Sequence, residues 1–196
     1  MDRHEGILNC LPLSKNAMSK VVNIQAYRAQ ILQQRSFGHW EKRFKEAYSL
    51  KTRLSDLSDK TLYFLAQPGE NSSIAYYELI MGILDFGPAA KFNYLPNKEQ
   101  MRVVDIHLFL ADQVRFEVMR RLKWLVHLPC EKNNLVEMVQ DFDKIKPACK
   151  ASPPELAASH PDNISYRQLA NGDKEVFIRR MLRDAIEAFE KRLTWS

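Results

Sequence analysis

P-N-K-E-Q-M-R-V-V-D-I-H-L-F-L-A-D-Q-V-R-F-E-V-M-R-R-L-K-W-L-V-H-L-P, residues 96–129, is the stretch whose reading decides the fold. Pro96 and Pro129 bracket it. Asn97 stands where an N-cap belongs, and Gln100 follows three positions later, as in a capping box. Apolar residues surround its first half on nearly every side. A helix wrapped in apolar side chains must be wrapped in protein, so a helix over 97–128 is expected to be the hub of the fold. About 31 residues at 1.5 Å each make a rod of ~47 Å, the full width of a globule of this length. The apolar wrap ends near Asp112 and Gln113, where a kink is the alternative to one straight rod.

Helical periodicity continues outward in both directions. Upstream, residues 73–86 are almost wholly apolar and end at Gly87-Pro88. Ser55 to Asp59 offers several N-caps for a short helix closing at Pro68-Gly69. Ile24, Tyr27, Ile31 and Leu32 form an earlier helical stripe, broken or bent at Gly38. A further helix then covers Phe37 to Arg53. Downstream, Asn133-Asn134 caps a helix from Leu135 to Lys146, and residues 147–172, with four prolines, read as an irregular loop. A last amphipathic helix spans Lys174 to Leu193. Two-residue alternation is not sustained anywhere, so no strands are expected. The expectation is an all-α single domain, a bundle of seven or eight helices over residues 19–196, preceded by an N-terminal arm, residues 1–18.

Composition sets the class. With 196 residues, 45% apolar and 27% charged, the chain is long enough for one well-filled core. Three widely spaced cysteines, Cys10, Cys130 and Cys149, lack any C-x-x-C pattern. They argue against a disulfide framework and for a reducing, cytoplasmic location. The N-terminus carries early acids and a proline-broken apolar run, unlike a secretory signal. No apolar run approaches the ~20 residues that cross a bilayer, so no membrane association is expected.

The net charge of +5 is uneven. Residues 1–55 hold ten Lys/Arg against four Asp/Glu, and the rest of the chain nineteen against twenty. Within that basic quarter, Phe37, Trp40, Phe44 and Tyr48 stack on one helix face with Lys42, Arg43 and Lys45 on its flanks. Trp40, Lys42, Arg43 and Lys45 therefore form a candidate surface for a nucleic acid or an acidic protein partner. The same spacing also describes an amphipathic helix with its aromatic face in the core.

Two further constellations could carry chemistry. Glu78 and Asp85 share one face of the 73–86 helix, and Asp105 and Asp112 share one face of the hub. Antiparallel packing of these helices would bring four carboxylates together, a donor set suited to Mg²⁺ or Mn²⁺. Arg115 lies on the apolar arc of the hub, where a guanidinium needs a carboxylate, helix-end carbonyls or an anionic ligand. His107, on the inward side of the same helix, is a hydrogen-bonded core residue or lines a pocket beside Arg115. His127 with Cys130, and Cys149 with His160, lack the partners that zinc binding or nucleophilic catalysis requires. No phosphate loop, HExxH or GxSxG is present. The leading expectation is a non-enzymatic interaction or regulatory protein without a cofactor. The competing one is a helical-bundle enzyme or small-ligand binder using Arg115 and His107, or the four acids.

Overall fold

A computed structural model describes residues 24–194. The expected arm, residues 19–23 at the start of the expected helical domain and the last two residues lie outside the described residues. The fold is all-α with one very small sheet. The helices are α1 (Ile24–Phe44), α2 (Asp59–Ala66), α3 (Glu70–Leu84), α4 (Asn97–Arg121), α5 (Leu135–Gln140), α6 (Phe142–Ala151), α7 (Asn163–Arg167), α8 (Asn171–Arg180) and α9 (Leu182–Thr194). Strands β1 (Leu125–His127) and β2 (Glu155–Leu156) pair antiparallel, with Leu125 opposite Leu156 and His127 opposite Glu155.

The hub is real but shorter than expected. α4 has 25 residues, ~37 Å at 1.5 Å per residue. Pro96 takes the N-cap place, and Gln100 reaches back to the Leu95 carbonyl at 2.8 Å instead of closing a capping box on Asn97. The helix stops seven residues before Leu128. Lys123 adopts φ 62°, and the chain closes with Trp124 N–H to Met119 O and Lys123 N–H to Arg120 O, both 2.9 Å. Those paired bonds are a Schellman closure, normally signalled by glycine. The residues beyond it become β1, correcting the expectation of no strands.

The chain between the clear helices also departs from expectation. α1 runs straight through Gly38 and ends at Phe44, so no separate helix covers 37–53. The final expected helix is divided into α8 and α9 at Met181, and the 135–146 helix into α5 and α6 at Asp141. α6 continues through Pro147, so the 147–172 region is partly ordered by α6, β2 and α7. The helices exceed the expected seven or eight because several are short.

Two hydrophobic clusters fill the interior. The larger packs α1, α3, α4 and α5 around residues such as Phe37, Trp40, Leu79, Ile106 and Leu110. The smaller joins the end of α4 to the sheet and α7–α9 through Phe116, Met119, Leu125, Leu156 and Ile178. α1 and α3 approach backbone to backbone at Gly82, where an added Cβ would lie 2.3 Å from the Arg35 carbonyl oxygen. Cys130 and Cys149 form a disulfide across 19 residues, tying the segment after β1 to α6. This overturns the expectation of unpaired cysteines and removes its argument for a reducing compartment. Distance along the chain was the wrong guide, because α5 and α6 double back.

Candidate functional site

Arg115 finds its partners within the fold. Its Nε donates to the Ala66 carbonyl at the end of α2, 3.2 Å away, and Nη1 lies 3.8 Å from Asp112. A cation at a helix C-terminus meets the negative end of the dipole, so the position is structurally satisfied. His107 is half-buried against Tyr76 and Tyr77, with ring centroids 4.9 and 5.4 Å away. Burial, then the Arg115 charge, holds its pKa below the ordinary 6.5. The ring is thus neutral at pH 7.

The four acids do not converge. Glu78 faces α1, with Arg43 at 3.0 Å and His39 at 3.6 Å, and Asp85 pairs with Arg35 of the same helix. Asp112 pairs with Arg179 of α8, while Asp105 is exposed. Both acids of α3 turn to cations of α1, so they do not meet the acids of α4. Among the described residues, no group of three or more His, Cys, Asp or Glu could hold a metal ion, which corrects the carboxylate Mg²⁺/Mn²⁺ site.

The aromatic ridge of α1 points inward. Phe37 and Trp40 are fully buried, and the Trp40 Nε1–H donates to the Ala75 carbonyl at 2.8 Å. Trp40 is therefore not a surface residue, and no base can stack on it. Arg43 is engaged by Glu78 and lies 5.8 Å over the Phe64 ring. Of the proposed surface, Lys42 and Lys45 remain as exposed cations without an aromatic platform.

The structure assembles a different place. α6 docks on α4 through an edge-on contact of Phe142 with Phe109, at 5.6 Å, and an Asp143–Arg102 pair at 3.3 Å. α8 docks beside it through Arg179, which grips Asp112 and, at 2.7 Å, Glu175. Between these helices lies an open cleft of about 220 Å³. Phe109 and Phe116 form its apolar floor, and Lys146, Lys150 and Asp105 supply charges at its sides. Gln113 lies in the floor at 5% exposure, and its amide makes no hydrogen bond to any described residue.

Gln113 also reaches a second cleft of about 270 Å³, bounded by Arg53, Glu117, Arg120 and Cys130. Cys149 lines the first cleft and Cys130 the second, so the disulfide and the Gln113 side chain separate them. In the second cleft Glu117 and Arg120 are consumed by the fold, while Arg53 and Lys132 make no ion pair with any described residue. Glu117, 1% exposed, receives Arg120 at 2.6 and 2.7 Å and Arg121 at 3.1 Å. Arg121 extends this network to Asp59 and to the Leu57 carbonyl at 2.6 Å, locking the start of α2 to the end of α4. That network is a clamp with its valences filled.

Sequence reasoning missed Gln113. A signal was present: Phe109, Gln113 and Phe116 follow one another at spacings of four and three, placing one amide on an aromatic face. Comparison with protein-family models, with curated proteins and with solved structures finds no match to the chain. No helix among the described residues is long and apolar enough to cross a membrane.

Proposed function

We propose that the protein is a helical small-ligand binder whose site is the cleft between α4, α6 and α8. The observation that carries this reading is the Gln113 amide. Gln113 is nearly buried as a residue, yet its amide makes no hydrogen bond within the described fold and opens to solvent in the wall of the cleft, where a ligand can meet it. A few polar groups left without a protein partner on a concave, partly aromatic surface are how binding sites obtain orientation and specificity. This differs from the pocket expected around Arg115 and His107, where Arg115 is held by the Ala66 carbonyl and the His107 ring packs against Tyr76 and Tyr77. The reading of the N-terminal quarter as a protein or nucleic-acid surface is less supported. Its aromatic component is internal, and one of its cations is paired.

The test uses stability. Gln113→Met keeps an unbranched side chain of similar size and removes the amide. The variant is expected to be at least as stable as the natural chain in urea unfolding, because nothing within the described fold needs that amide. A loss of stability would show that the amide serves the fold and would overturn the reading.

A further inference from the structure

The charges around the cleft narrow the chemistry of its occupant. Arg179 neutralises Asp112 and Glu175, leaving those carboxylates committed. Lys146 and Lys150, both on α6, make no ion pair with any described residue. Lys146 Nζ rests 4.8 Å from the centroid of the Phe142 ring. On the α4 side, Asp105 is exposed and likewise unpaired among the described residues. The cleft thus offers two free ammonium groups from one helix and one free carboxylate from another. Phe109, Phe116 and the Gln113 amide lie in its floor.

We infer that the cleft takes a small zwitterion with an apolar body, of the α-amino acid class. This rests on the binding reading above. The ligand carboxylate meets Lys146 and Lys150, its ammonium meets Asp105, and its side chain lies along Leu108 and Phe109, Phe116 being covered by Arg179. The Gln113 amide completes the polar contacts. Charge and size both favour this class. The lining carries three acids and three bases, so a ligand with net charge of either sign gains nothing from the whole site that a zwitterion does not. A volume of about 220 Å³ exceeds the ~150 Å³ that admits benzene and falls below the ~300 Å³ at which drug-sized sites begin. One amino acid with a large side chain fits that range, and a nucleotide or a folded peptide does not.

The experiment is calorimetric titration of the full chain with three probes of one shape: L-phenylalanine, 2-phenylethylamine and 3-phenylpropionate. L-Phenylalanine is expected to bind, with each of the others weaker by about tenfold or more for its missing charge. Asp105→Asn should weaken L-phenylalanine by about tenfold and leave 3-phenylpropionate unchanged; Lys146→Ala with Lys150→Ala should weaken L-phenylalanine by about tenfold and leave 2-phenylethylamine unchanged. All three substitutions are at exposed or half-buried positions that the fold does not rely on. Equal binding of 3-phenylpropionate and L-phenylalanine, unaffected by Asp105→Asn, would overturn the zwitterion inference and leave a carboxylate-binding cleft standing. Binding of none of the three would overturn the ligand class. The Gln113→Met stability measurement would then decide separately whether the cleft is a binding site.

Discussion

His107 is held neutral by the place of its ring, against Tyr76 and Tyr77 and near the Arg115 cation. Because its folded pKa is below 6.5, the unfolded chain takes up a proton before the folded one does as pH falls. Stability is therefore full above about pH 6.5 and declines as pH drops from there toward the folded pKa. Unfolding midpoints in urea should fall between pH 7.5 and pH 5.5, and His107→Gln should flatten that decline. An identical slope in the variant would mean that another group carries it. Glu46 acts in a separate window. Burial raises its pKa, but hydrogen bonds from Ser58, Tyr48 and Thr61 outweigh this, and the net position is below 4.5. Its contribution is present above pH 4.5 and is lost only at lower pH. At this scale the sequence named residues well and their roles badly. Arg115 needed a partner, as its position on the apolar arc required, but α2 supplied it through a carbonyl that no pattern reveals.

Helix termination shows the same limit one level up. α1, α3 and α4 end at Lys45, Asp85 and Lys123, all with φ near +60° and none of them glycine. An L side chain pays about 1–2 kcal/mol to turn left-handed, and the surrounding contacts offset it. For Asp85 the ion pair with Arg35 is one such contact. Lys123→Gly should relieve the strain at the α4 terminus and raise stability by about 0.5–1 kcal/mol in urea unfolding, after the added freedom of the unfolded chain is subtracted. Lys123→Val should lower it. If both variants destabilise, the lysine side chain itself contributes to the closure. Without a glycine to mark the stop, periodicity alone carried the expected hub through Leu128. α2 and α5, by contrast, were legible because side chains cap them: Ser58 accepts from Thr61 N–H at 3.1 Å, and Asn134 from Glu137 N–H at 2.9 Å.

Across the molecule, α4 and α9 contribute to both hydrophobic clusters. Phe116 and Ala185 lie in the smaller, and Ile106 and Phe189 in the larger. Two clusters sharing two helices cannot melt independently, so unfolding is expected to be one cooperative transition. Trp40 reports the larger cluster in a chain carrying Trp124→Phe and Trp195→Phe. In that background Ile178→Ala, deep in the smaller cluster, should destabilise by about 2–5 kcal/mol. The Trp40 fluorescence and helix circular-dichroism midpoints should move together. Midpoints that separate would make the smaller cluster a unit of its own.

The sequence by itself determined the class of fold, the existence and approximate course of the long helices, and the centrality of α4. Those follow from local periodicity, which the backbone reads within a few turns. Only the tertiary structure decided which faces meet. It turned the aromatic ridge of α1 inward, divided the four acids among separate arginines and joined Cys130 to Cys149. It also left Gln113 facing a cleft beside Lys146 and Asp105. Each of these depends on rotation of one helix about its axis relative to another. That rotation is set by the packing of all the apolar faces at once, and no single stretch of chain encodes it.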